Sequence, residues 1–346
     1  MTPSDKTADH SAAQQAARFR HAGGVTIGDR QRPGDPRPAP SAEACGDSPD
    51  PGQRACEGCG VALGARHALD AALRATGNRL IVVNATGCLE AFSTPDAEPT
   101  RQVPWIHSLF GNAPAVATGV AAAQRIHGRT DVRVVAQGGD AGTADIGFGC
   151  LSGMFERNDD VLYICYDNEA CMSSGGQRTS ATPPAAGTTT TPALGKDPGN
   201  AFGTGKNMPL LAMAHRIAYV ATASVADLAD LERKVTHAME LHGARYIHVH
   251  VPCPLGWGFA PADTIRIAQL AVQSGLFPLF EAHGGKVTAT TPIGRKVPVD
   301  EYLGLQTRFA RLFVDAASRE RVAMIQAIAD RNAAEFGLLA ATAPPG

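Results

Sequence analysis

Val132-Arg-Val-Val-Ala-Gln-Gly-Gly-Asp140-Ala-Gly-Thr143, followed by Val161-Leu-Tyr-Ile-Cys-Tyr166-Asp-Asn-Glu169, decides the fold. Both segments open on apolar runs without polar alternation, which suits strands buried on both faces. The first run exits into glycines and a helix expected from near Thr143 to about Arg157. Glycines at a strand exit let backbone amides approach phosphate oxygens, and a helix N-terminus favours an anion. Asp140 adds a hard oxygen for Mg²⁺, and a second ligand is expected at the end of the next strand, where Asp167-Asn168-Glu169 stands. The alternative is a plain βα turn with Asp140 as its N-cap.

Working outward, strands are expected over 80–84, 217–221, 245–251 and 287–292, with helices over 113–126 and 225–240 and helical composition through 301–336. This rhythm implies an α/β fold: a parallel sheet with helices on both faces. Between Asn168 and Lys206 the pattern gives way to Gly, Ser, Thr and Pro, and a loop of that length directly after a core strand reads as functional. Residues 1–50, rich in proline and without apolar periodicity, are expected to form a disordered extension. Residues 51–282 form the main domain, and 283–346 a C-terminal segment assigned to partner contact.

The chain of 346 residues carries 31 Lys plus Arg against 33 Asp plus Glu, a net charge of −2, so no nucleic-acid footprint is present. No apolar run is long enough to span a bilayer, and Asp5, Lys6, Asp9 and His10 exclude a secretory leader, so a cytoplasmic protein is expected. In a reducing compartment the eight cysteines are not expected to pair as disulfides. Cys56 and Cys59 form a Cys-x-x-Cys on a glycine-rich turn, while Cys88 and Cys253 each follow a strand. Four thiolates suit a [4Fe–4S] cluster or tetrahedral zinc, and spacing does not separate the two. Cys150, Cys165 and Cys171 read as buried core or pocket-wall thiols, a reading preferred for the first two. Gly203-Thr-Gly-Lys206 lacks the spacing of a nucleotide P-loop, and Asn84-Ala-Thr86 matches a glycosylation sequon by chance.

Several ordered motifs carry a resemblance. They are Ala144-Asp-Ile-Gly147, Tyr166-Asp-Asn-Glu169, Gly175-Gly-Gln-Arg178, Ser180-Ala-Thr-Pro183, Arg54-Ala-Cys-Glu-Gly-Cys-Gly60, Trp105-Ile-His-Ser-Leu-Phe110 with Asn112-Ala113, and Val251-Pro-Cys-Pro-Leu-Gly-Trp257. Over about residues 52–315 the chain resembles the thiamine-diphosphate-binding β subunit of pyruvate:ferredoxin and other 2-oxoacid:acceptor oxidoreductases. The resemblance implies that Asp140, the Asn168 side chain and the Ala170 carbonyl ligate Mg²⁺. Gly139 and the amides of Ala141, Gly142 and Thr143 would meet the diphosphate. Cys56, Cys59, Cys88 and Cys253 would hold a [4Fe–4S] cluster, while His107, Asn112 and Ser173 match positions near the reacting centre. The implied reaction is coenzyme A-dependent oxidative decarboxylation of a 2-oxoacid. It implies an α subunit that supplies the pyrimidine-binding domain, and a ferredoxin-like subunit that carries electrons onward to ferredoxin or NAD. A thiamine-dependent non-redox decarboxylase or synthase, and a zinc-stapled silent scaffold, are the alternatives.

Three departures from the family pattern bear on substrate and turn geometry. Ala141 replaces a glycine after Asp140, so the turn must keep negative φ or change shape. Ser173 stands where an asparagine commonly faces the thiazolium. Gly111 replaces a glutamate, and with Ser173 it is expected to make room for a bulkier 2-oxoacid.

Overall fold

The computed structural model describes residues 55–93, 103–194 and 199–339, together with a two-residue ladder pairing Arg20–His21 with Gly24–Val25. The expected disordered extension and Cys45 lie otherwise outside the described residues. Eight strands build the main sheet: β1 Leu80–Ala85, β2 Trp105–Ser108, β3 Arg133–Gly139, β4 Val161–Asp167, β5 Tyr219–Ser224, β6 Arg245–His250, β7 Phe280–His283 and β8 Lys286–Thr290. Their order is β8-β7-β5-β6-β4-β3-β1-β2. The first six in sequence run parallel, while β7 is antiparallel to β5 and β8 to β7. The sheet is therefore mixed rather than wholly parallel. The short, half-polar β7 carries too weak a pattern to read as a strand, and pairing with the β5 edge is what orders it.

β4, β5 and β6 are buried along their whole length, as strands between two helical layers must be, and β6 is buried with Arg245, His248 and His250 in it. The period of two sorts β4 between those layers. Leu162, Ile164 and Tyr166 pack with helices α1 (Gly60–Thr76) and, further along the chain, Leu228–Glu240; Val161, Tyr163 and Cys165 pack on the opposite side. There they meet α2 (Ala113–Ile126), α3 (Phe148–Glu156) and α4 (Met208–Ala214), so Leu228–Glu240 is α5. Helix α2 has the expected bounds. β5 begins two residues later than the reading placed it, because its register with β6 starts at Tyr219 opposite Arg245. Cys165 is fully buried in this core, and Cys150 is half-buried. Asn84 is fully buried in β1, consistent with a chance sequon.

A third apolar cluster lies beyond the carboxyl edge of the sheet. It gathers Trp257, helix α6 (Thr264–Ser274), the 3₁₀ turn Thr307–Phe313 and helix α7 (Ala316–Glu335). The C-terminal segment thus contributes Phe309, Leu312 and Ile325 to a wall that closes over the strand ends.

Candidate active site at the carboxyl edge of the sheet

Strand order gathers the site. β3 lies beside β4 with Gly139 opposite Tyr166, and β6 lies on the other side of β4 with His250 opposite Asp167. Asp140, Asn168 and Cys253 therefore emerge from three neighbouring strands on one edge, the usual location of ligand sites in such sheets. Cys88 follows β1, which pairs with β3.

The chain leaves β3 through Asp140 at φ −58°, ψ −45°, into a π-helical turn over Ala141–Ile146 in place of the expected α-helical start at Thr143. Single π turns concentrate at functional sites. Ala141 does not take positive φ, so its methyl group is accommodated without strain. Gly142 is a real requirement, because a Cβ there would meet the Phe110 carbonyl oxygen at 2.8 Å. Thr143 uses its hydroxyl internally, donating to the Gly139 carbonyl at 2.7 Å and lying 3.0 Å from the Tyr163 hydroxyl. Gly139, Asp140, Ala141 and Gly142 line a narrow slot of about 30 Å³ with Cys88, Asn168, Ala170 and Ser173.

Asp140 and Asn168 are both buried. One end of the Asn168 amide lies 2.7 Å from the Ala170 carbonyl oxygen and 3.1 Å from Asp140 Oδ1. With nitrogen at that end the amide donates to both. With oxygen there, three oxygens converge at separations close to the roughly 2.9 Å between neighbouring ligands of an Mg²⁺ with 2.0–2.1 Å bonds. In this second orientation Asn168 Nδ2 faces Cys88 Sγ at 4.0 Å. Thr179 donates to Asp140 Oδ2 at 2.5 Å, which fixes the carboxylate and leaves Oδ1 turned toward the other two oxygens. Burial, reinforced by the charge of Asp167, pushes the Asp140 carboxyl well above the usual range. A divalent cation reverses that penalty.

Behind the slot, Asp167 accepts from the Glu169 backbone N–H at 2.8 Å and meets His248 Nε2 at 2.8 Å. Glu169 adopts φ +63° and pairs with Arg308 Nη2 at 2.5 Å. Burial pushes the Glu169 carboxyl up to about 7, with Arg308 opposing the rise. The sequence reading missed Thr179 and Arg308, and named Glu169 only within the segment at the end of the strand. Thr179 sits between two motifs of the resemblance, but nothing local marks Arg308.

All four expected cysteines line one cavity of about 720 Å³, with Asn168, Ser173 and Arg308 on its wall. Cys59 caps α1, its sulfur accepting from Ala62 N–H at 3.5 Å, and Cys253 caps the turn Pro254–Trp257, accepting from Gly256 N–H at 3.4 Å. Burial pushes the Cys59 and Cys253 thiols up. Burial and then the neighbouring cysteines push Cys88 up to about 12. Bare thiolates are thus disfavoured in a space that suits them once a cationic centre is present. Among the described residues no three His, Cys, Asp or Glu side chains stand close enough to share a single metal ion.

Ser173 is exposed and lines both the slot and the large cavity. His107, on β2, lies 3.0 Å from the Thr86 hydroxyl, and Thr86 lines the slot while His107 does not. Asn112 is exposed at the start of α2 without a capping hydrogen bond and reaches neither cavity. Gly111 is packed rather than open: a Cβ there would meet Ile146 and Gly147 at 3.1–3.2 Å, so its small size serves the approach of two turns and adds no room for substrate. Cys171 Sγ lies 2.9 Å from the Ser174 hydroxyl on the slot wall.

Residues 85–249 match the C-terminal, thiamine pyrophosphate-binding domain of thiamine pyrophosphate enzymes. The pyruvate synthase subunit PorB of Methanosarcina barkeri is 48% identical over 288 residues, covering 83% of this chain and 96% of the relative. This chain belongs to the 2-oxoacid oxidoreductase B-subunit family. A second branch is also similar: the ketoisovalerate oxidoreductase subunit VorB of Pyrococcus abyssi is 42% identical over 266 residues, covering 75% of this chain and 84% of the relative. The fold agrees with a chain of the 2-oxoglutarate:ferredoxin oxidoreductase of Magnetococcus marinus, at a TM-score of 0.52 and 21% identity over 80% of this chain and 94% of that one. The B subunit described here is therefore an oxidoreductase subunit with a thiamine pyrophosphate-binding domain. Among its described residues, no helix is long and apolar enough to cross a membrane.

Proposed function

We propose that this chain holds thiamine diphosphate, Mg²⁺ and a [4Fe–4S] cluster side by side and serves the coenzyme A-dependent oxidative decarboxylation of a 2-oxoacid of the pyruvate class. The observation that carries the reading is the position of Asn168, with one end of its amide at the Asp140–Ala170 oxygens and the other toward Cys88. Asp140, the Asn168 side chain and the Ala170 carbonyl would hold Mg²⁺, and the tight turn at Gly142 brings backbone amides to the diphosphate. When bound, thiamine diphosphate supplies the carbon nucleophile that attacks the 2-oxo carbon and accepts the electrons left by departing CO₂. Cys56, Cys59, Cys88 and Cys253 would place a one-electron acceptor on the adjoining wall. Four cysteines on one cavity wall suit a [4Fe–4S] cluster, and metal analysis separates it from zinc.

The chain's own residues orient and exclude. Thr179 holds Asp140 in its ligating rotamer, and Ser173 offers a hydroxyl to substrate where the slot opens into the large cavity. His107 is assigned to the edge of the slot, acting through Thr86, whereas Asn112 lies outside both cavities and is given no role. Leu194 and Leu255 on the cavity wall are 72% and 76% exposed, and such apolar area supports a protein partner over the mouth. We assign that place to an α subunit with the pyrimidine-binding domain. A ferredoxin-like subunit takes the electrons, and exposed Phe313 and Val314 of the C-terminal segment are further candidate contacts.

Anaerobic co-purification with the neighbouring subunits, followed by iron, sulfide, zinc and thiamine diphosphate analysis, tests the reading. We expect about four irons and four sulfides that disappear in Cys253→Ala. Zinc without sulfide would replace this reading with the non-redox one. For substrate, the expected order of turnover is pyruvate above ketoisovalerate above phenylglyoxylate, since Gly111 opens no space. A preference for phenylglyoxylate would overturn it.

A further inference from the structure

Arg308 has no part in the chemistry described so far, yet it stands at the centre of the site. It arrives from the 3₁₀ turn Thr307–Phe313, and its side chain is only 4% exposed while lining the large cavity with Cys253 and Ser173. Its guanidinium stacks over the Trp257 indole at 3.8 Å, pairs with Glu169 Oε2 at 2.5 Å, and donates from Nε to Gln306 at 2.8 Å. Trp257 is itself fully buried. It ends the short turn opened by Cys253, and its Nε1–H donates to the Asn168 carbonyl at 2.8 Å. One stacked pair thus ties the turn bearing Cys253 to the turn bearing Asn168.

Burying a guanidinium is costly, and an apolar side chain braces two turns at lower cost. Retaining a charge here calls for an electrostatic reason. The charge reaches the cysteine wall: Arg308 lines the same cavity as Cys253, and its guanidinium stacks on Trp257, which ends the turn that Cys253 opens. One-electron reduction makes an iron–sulfur centre more negative, so a fixed cation in a water-poor wall favours the reduced state.

We propose that Arg308 is a positioning residue with two separable effects: its planar fork, stacked on Trp257, sets the spacing between the Asn168 turn and the Cys253 turn, and its positive charge raises the reduction potential of the cluster those cysteines hold. The proposal rests on the cluster assignment above. Lysine preserves the charge and loses the fork, so the two effects can be read apart.

The test uses the anaerobically purified complex carrying wild-type chain, R308Q, R308M, R308K or W257F. Iron and sulfide are counted, thiamine diphosphate affinity is measured by titration, and the paramagnetic signal that vanishes in Cys253→Ala is followed against potential. R308Q and R308M are expected to move that signal to lower potential. The oxidised-to-reduced ratio at fixed potential should rise about tenfold, which is about 59 mV for a one-electron couple. R308K and W257F are expected to keep the wild-type potential and bind thiamine diphosphate several-fold more weakly. A wild-type potential in R308Q with four irons present overturns the tuning effect, as does loss of the cluster in both neutral variants. Wild-type thiamine affinity in R308K and W257F overturns the brace. A wild-type complex without sulfide overturns the cluster assignment and this proposal with it, an outcome recognisable before any variant is made.

Discussion

The two ends of strand β4 both carry buried charge and use it oppositely. At the amino end, Asp160 Oδ1 takes Arg245 Nη2 at 2.7 Å and Arg133 Nη2 at 3.3 Å, while Oδ2 meets His242 at 2.7 Å. At the carboxyl end, Asp140, Asp167 and Glu169 crowd together against Arg308 and His248. In the first cluster two arginines and a histidine share one carboxylate of the same chain, which fastens the strand. The second carries acid in excess; burial and then Asp167 push the Asp140 carboxyl up, burial raises Glu169 against the opposing Arg308, and under the proposed function a bound cation offsets the excess. Under the proposed function, one end of the strand fastens the fold and the other binds the cofactor.

Substitutions break this contrast in order of expected size. Asp140→Asn should weaken thiamine diphosphate and Mg²⁺ binding in a calorimetric titration by more than about a hundredfold, more than losing a hydrogen-bond partner of a ligand costs. Its cofactor-free melting temperature should not fall, because a carboxyl penalised by burial has been removed. A clear drop would mean that Asp140 fastens the fold as Asp160 does. Thr179→Val should cost about 10- to 100-fold in the same titration by freeing the carboxylate to rotate; unchanged affinity would show that Asp140 needs no orientation. Asp160→Ala should reverse the pattern, losing about 2 kcal/mol in denaturant unfolding with cofactor affinity intact. That is less than the 3–5 kcal/mol of a fully buried pair, since Asp160 is 42% exposed and Arg245 keeps carbonyl partners at Ala238 and Leu241. Asp227→Ala, at neither end, removes the cap that accepts from Asp230 N–H at 3.0 Å and should lose about 1 kcal/mol without touching binding.

Much of the carboxyl end was legible because the relevant residues follow directly from strands that announce themselves. Asp140, Asn168, Cys88 and Cys253 each stand within a few residues of an apolar run, so a parallel sheet delivers them to one edge. Gly111 misled, since smallness reads alike whether it opens a cavity or admits a neighbouring turn. The amino end was silent: Arg133, Asp160, His242 and Arg245 are ordinary charges in sequence, and only registered strands bring them together.

The sequence alone determined the central buried strands, the bounds of α2 and which candidate ligand residues stand at the strand ends, because burial on two faces and helical period are written in adjacent residues. Tertiary structure decided the rest. The place of β6 beside β4 put Cys253 next to Asn168, and the β5 edge turned 280–283 into an antiparallel strand. The folding back of the C-terminal segment set Arg308 between the two turns of the site. Each depends on contacts between residues far apart in the chain, and such contacts leave no period or spacing in the local sequence.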